Sequence, residues 1–240
     1  MRDTLRSTSY FNKYLDDENR KLVKYKLMAE KVLEERGEED QGLKRAYLII
    51  QNSYFNKLNS LYSMGAPIEE IKLLYPEIID ILKKSWNKES GYVRILWMIS
   101  IGIMLDVSQK YINQLKNLVT RFELQDYLLD FLLNKENSNR NDSNKGFTFS
   151  EPYSLLYDVI NAKSKNEAVE KLKYYLEEAW YNGHGDTGWY ESHKSKHDTY
   201  NGYWSYESGA IARILDLDDQ ILRDVPYYPY DLVHYKDNKN

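Results

Sequence analysis

The chain has 240 residues, enough to bury one large core or two small ones, and contains no cysteine, which excludes disulfides and thiolate metal sites. A formal net charge of -4 argues against a nucleic-acid-binding protein and admits a basic protein partner. The longest apolar run, 92–105, is short for a membrane span and contains Arg94, and the first twenty residues are too charged for a secretory signal; a soluble, cytoplasmic protein is expected.

Asn12 to Arg36 carries Leu15, Leu22, Tyr25, Ala29 and Val32 near one stripe, which predicts a long amphipathic helix ended by Gly37. The densest acidic cluster surrounds that end: Glu34, Glu35, Glu38, Glu39 and Asp40. Acids at a helix C-terminus oppose the dipole, so they do not serve that helix. They read either as a solvated helix end or as a patch complementary to a basic groove. Gly42 to Met64 predicts a second helix, closed by Gly65 and Pro67. Ile68 to Trp86 keeps helical spacing across Pro76, which predicts a kink or a break there. Gly91 to Leu105 is apolar nearly all round and is expected at the centre of a core. Two more helices are predicted over Ser108 to Thr120 and Glu123 to Leu133.

Residues 134–146, rich in Asn, Ser and Lys, contain no large apolar group and predict a mobile linker between an N-terminal helical region, 1–133, and a C-terminal one, 147–240. Pro152 is expected to open a helix reaching about Ala162. Ser164 or Asn166 can cap the next, which runs to Trp180. A glycine-containing loop leads from there to Tyr203, where helical spacing resumes as far as Leu215. Within that helix Ser205, Ser208, Gly209 and Ala212 are small enough for another backbone to approach closely. Asp218 is placed to cap a short helix over Asp219 to Arg223, and Pro226 and Pro229 then hold Tyr227 and Tyr228 out of helix. No strand pair is evident, so the fold class is all-α.

The chemistry-bearing patterns are sparse. His193 and His197 stand four apart, the spacing that places two imidazoles on one helix face, with Glu191 as a possible third ligand for a metal-dependent hydrolase. Lys194 and Lys196 oppose a cation there, and structural roles account for the histidines more simply. Ser192 and Ser195 lack a nucleophile elbow, and the glycines at 183, 185 and 188 lack the Lys-Ser/Thr ending of a phosphate loop. Glu207 lies at the edge of an apolar face and needs a tyrosine hydroxyl, Arg213 or a lysine if it is buried. Neither a catalytic group, a metal nor a cofactor is assigned.

The stretch GYWSYESGAIARILDLDD followed by RDVPYYPYDLVHY, with WYESHK upstream, resembles the C-terminal signature of the PoNi immunity proteins. The residues carrying the resemblance are Trp189, His193, Tyr203, Trp204, Glu207, Tyr228, Pro229 and Asp231. It implies a non-enzymatic helical antitoxin whose partner is a PoNe-type DNase of the PD-(D/E)xK superfamily, with no direct contact to nucleic acid or membrane. A nuclease cleft is basic because it holds phosphates, and acids on a rigid frame can compete for it. Two surfaces qualify: Glu34, Glu35, Glu38, Glu39 and Asp40, or Asp216, Asp218, Asp219 and Asp224 beside Tyr227 and Tyr228. A helical scaffold for some other protein is the remaining alternative.

Overall fold

The computed structural model describes residues 1–86, 91–134 and 146–236. Apart from short 3-10 turns and one π-helical turn they form ten α-helices and no strand. The elements are α1 (Thr8–Arg36), α2 (Gln41–Met64), α3 (Ile68–Ser85), α4 (Tyr92–Met104), α5 (Gln109–Arg121), α6 (Tyr127–Leu133), α7 (Leu155–Ile160), α8 (Lys165–Tyr174), α9 (Tyr206–Ile214) and α10 (Tyr230–Val233). The linker expected at 134–146 lies, but for its two end residues, outside the described residues.

The chain divides into two compact units. Unit 1 is Met1–Gly91 with Glu191–Tyr203; unit 2 is Tyr92–Tyr190 with Trp204–Asn240. Nothing in the sequence pattern marks the return of Glu191–Tyr203 to unit 1.

Unit 1 is an α1–α2–α3 bundle. Phe11, Tyr14, Leu15, Leu22 and Ala29 of α1 bury against α2, whose inner face is Leu43, Ala46, Ile50, Tyr54, Leu58 and Leu61. Gly65 ends α2 in the left-handed conformation at φ 87°, where glycine alone pays no Cβ penalty. α3 is one continuous helix with Pro76 inside it, rather than the two pieces a proline can produce. Its buried Ile71, Leu74, Tyr75, Ile78, Ile79 and Leu82 outweigh the one lost backbone bond. Segment 191–203 is tied to the N-terminus of this unit. The Tyr200 hydroxyl donates to buried Asp3, while Tyr10 donates to the Tyr200 carbonyl at 2.9 Å and accepts from its N–H at 3.1 Å.

Unit 2 is built around α4, buried as its composition predicts, and α9. The sixth helix begins at Tyr127 rather than Glu123, because Glu123 sits at φ 51° and Asp126 is the N-cap. That carboxylate, fully buried, accepts from Leu129 N–H at 2.9 Å, Thr148 N–H at 2.7 Å and the Tyr92 hydroxyl at 3.2 Å. Pro152 lies in a turn, and α7 starts only at Leu155. Ser164 caps α8 as expected, accepting from Glu167 N–H at 3.1 Å; after Tyr174 the helix widens into a π-helical turn to Trp180. α9 starts at Tyr206, so Tyr203 and Trp204 precede it, and the short helix expected after Asp218 is a single 3-10 turn, Gln220–Leu222.

Candidate functional site

The aromatic signature is structural. Glu207, in the first turn of α9, is completely buried; its Oε1 accepts from Trp180 Nε1 at 2.7 Å, Ser205 Oγ at 2.7 Å and the Tyr175 hydroxyl at 3.1 Å. Burial pushes this carboxyl above its ordinary pKa, against the lowering effect of those three donors. Of the three kinds of partner expected for it, the tyrosine hydroxyl is the one present, in Tyr175. Around Trp180, Trp189 stacks at 5.6 Å and Tyr227 lies at 4.8 Å, itself parallel to Tyr181 at 5.4 Å. Buried His184 donates from Nδ1 to the Trp180 carbonyl at 2.5 Å and accepts at Nε2 from the Tyr153 hydroxyl at 3.0 Å. Burial lowers its pKa, which fixes this neutral form.

Gly209 explains the run of small residues on α9. A Cβ there would meet Met104 Sδ at 2.6 Å, Pro229 Cγ at 2.7 Å and Val233 Cγ2 at 3.0 Å, so α4 and the Pro229 turn pack directly on the helix backbone. Trp204 and Pro229 are buried, and Asp231 is exposed.

The histidine pair does not form a metal face. Ser192–Lys194 is a 3-10 turn followed by extended Ser195, so His193 and His197 do not share a helix. Half-buried His193 pairs with the Tyr203 hydroxyl, 2.9 Å from its Nδ1, while Glu191 binds Lys194 at 2.5 Å. Among the described residues no group of three or more His, Cys, Asp or Glu could hold a metal ion, so the ligand set His193, His197 and Glu191 expected of a hydrolase is not assembled.

The C-terminal acids part company. Asp219 and Tyr228 are each 3% exposed and face each other, the Tyr228 hydroxyl donating to Asp219 at 2.6 Å and His234 Nε2 lying 2.8 Å from its other oxygen. They hold the fold and offer nothing to a partner. Asp216 is exposed at φ 49° and paired with Lys165 at 2.6 Å, which lowers its pKa. Asp218 and Asp224 are exposed, with Asp218 Oδ1 accepting from Gln220 N–H at 3.4 Å, and Tyr227 is half-buried.

The N-terminal acids stay together at the junction of α1 and α2. Glu34 and Glu35 lie in the last turn of α1, but Glu38, Glu39 and Asp40 precede α2, whose N-terminal dipole end favours negative charge. The cluster is therefore not simply adverse to its helices. Asp40 caps α2, accepting from Gly42 N–H at 2.7 Å and Leu43 N–H at 3.2 Å. Lys44 lies 2.6 Å from Glu39, Lys31 3.8 Å from Glu35 and Arg36 3.9 Å from Asp40. Glu34 and Glu38 are exposed and make no ion pair among the described residues.

Beside this rim a groove of about 350 Å³ opens between α1, α2 and α3. Leu33, Tyr47, Ile50 and Tyr54 form its aromatic and aliphatic lining, and Glu30 and Asp80 add acids. The Tyr54 hydroxyl donates to Glu77, which also takes Lys26 Nζ at 3.0 Å and is held below the ordinary carboxylate range, chiefly by the Tyr54 bond. On the outer side of α1 lie exposed Val23, Leu27 and Met28. The sequence pattern shows the acids and not the groove, because Leu33, Tyr47 and Asp80 come from three separate helices.

The comparisons agree with this architecture. Protein PA2201 from Pseudomonas aeruginosa has a similar solved structure, with a TM-score of 0.62 and 18% identity over 92% of this chain and 87% of that one; at this identity the likeness bears on the fold alone. None of the curated proteins matches the chain. No helix among the described residues is long and apolar enough to cross a membrane. The family described as PoNe immunity protein (PoNi), N-terminal, matches residues 2–117, and PoNe immunity proteins (PoNi), C-terminal, matches residues 124–232. With nearly the whole all-α chain matched, it belongs to the PoNe immunity proteins, which are not enzymes and act by neutralising a cognate PoNe-type DNase toxin.

Proposed function

We propose that neutralisation works by occlusion, with the acidic junction of α1 and α2 and the adjoining groove entering the basic DNA-binding cleft of the toxin. The observation that carries this reading is the groove of about 350 Å³ lined by Tyr47, Tyr54 and Leu33, directly beside exposed Glu34 and Glu38. Tight interfaces combine a desolvated aromatic centre with charges that guide encounter, and the groove and its rim supply both. The C-terminal alternative retains Asp218 and Asp224 with half-buried Tyr227, since Asp219 and Tyr228 are enclosed and Asp216 is paired with Lys165. A DNase kills where the chromosome is, so the same proposal places the chain in the cytoplasm.

Co-expression with the cognate DNase tests it. Reversing Glu34, Glu35, Glu38 and Glu39 to Lys is expected to abolish protection, while reversing Asp216, Asp218 and Asp224 leaves the cells alive. The opposite pattern of survival would move the interface to the C-terminal acids, and survival with both variants would dismiss charge-guided occlusion.

A further inference from the structure

A second groove, of about 630 Å³, runs between α1 and α2 in unit 1. Glu18 lines it and is 1% exposed. Its Oε1 accepts from Lys21 Nζ at 2.8 Å and from Asn56 Nδ2 at 3.4 Å, but its Oε2 is buried without a hydrogen-bond partner among the described residues. A carboxylate removed from water with half its acceptor capacity unfilled is a standing cost to the fold.

The donor that suits both oxygens of this carboxylate has two parallel N–H groups. Lys21 cannot supply it: an ammonium is a single point of charge, and its side chain is about half exposed. A guanidinium can bridge both carboxylate oxygens and lay its plane on an aromatic ring. Tyr14 and Tyr25 line the groove, and Asp17 and Asp198 at its edge are already paired with Arg20 and with Lys13, which leaves Glu18 as the acid that an incoming cation would meet. Arg20 and Lys24 border it too, with Arg20 turned onto Asp17. Building on the reading that the chain binds a basic nuclease, we propose that this groove is the receptor for an arginine side chain of the toxin, whose guanidinium takes both oxygens of Glu18 and displaces Lys21. Lys21 is then a place-holder: it covers the buried charge in the free protein and gives way on binding.

The two residues therefore carry opposite predictions. Against a catalytically dead form of the cognate DNase, Glu18→Gln should raise Kd by about tenfold or more, because the interfacial charge pair is lost. Lys21→Ala should lower Kd severalfold, because the competitor is gone. A purely internal ion pair would instead lower Tm in both variants and leave both Kd values within about twofold of wild type, which overturns the proposal, as does weaker binding by Lys21→Ala. Should Glu18→Gln fail to fold, Lys21→Ala decides alone: tighter binding supports the receptor, and equal or weaker binding refutes it. A wild-type chain that does not bind the toxin removes the underlying reading and this one together, whereas tight wild-type binding unaffected by Glu18→Gln removes only this one.

Discussion

Glu207 shows how one residue can organise a neighbourhood without touching a ligand. Trp180, Tyr175 and Ser205 all donate to a single oxygen and so favour the carboxylate, but complete burial outweighs them and favours the neutral acid. Its raised pKa has a consequence for stability. The native state keeps this proton at pH values where the unfolded chain has released it, so the contribution is complete below the ordinary carboxylate pKa and is lost as pH rises through the higher native value. Glu207→Gln should abolish that decline, seen as a difference between the urea midpoints of the two proteins that changes with pH; parallel pH profiles would show that Glu207 does not titrate in this way. Glu207→Ala leaves three buried donors unanswered and should cost at least about 3 kcal/mol.

Among elements, α9 is the most constrained. Adding one methyl at Gly209 gains about 1 kcal/mol of helix propensity but drives a carbon into Met104, Pro229 and Val233. Gly209→Ala is expected to lose about 1–2 kcal/mol net and Gly209→Val clearly more, measured by chemical denaturation. An unchanged midpoint for the valine variant would mean that Pro229 and α4 are not seated on the helix. The small residues of that helix were readable from sequence because they fall together within eight positions, Ser205 to Ala212. So were α1, α2, α4 and α5, whose apolar spacing runs unbroken for three turns or more. The start of α6 was not, since an N-cap aspartate before a short helix looks like any other acid until its partners, here Thr148 and Tyr92, are brought to it. The candidate site was half legible: charge is written in composition at 34–40, whereas a groove is made by helices that meet only after folding. Asp219 and Tyr228 illustrate the reverse case, exposed in pattern but enclosed because each satisfies the other.

For the molecule as a whole, the balance of 33 basic and 37 acidic residues gives too small a net charge to steer a partner by itself. Any steering must come from local imbalance, such as the stretch Glu34 to Asp40. Its reach is the screening length, about 8 Å at physiological ionic strength. Raising salt should therefore slow association with the toxin while changing dissociation little; stopped-flow rates that ignore salt would dissociate the acidic rim from binding. The clasp between Tyr200, Asp3 and Tyr10 bears on biosynthesis as well. Residues that meet after a separation of 197 cannot do so while the ribosome still holds the later one. The first bundle thus leaves the exit tunnel with its own N-terminal aspartate uncovered, and it is completed only after Tyr200 has followed it out. A nascent chain stalled anywhere before that point would be a partly finished antidote.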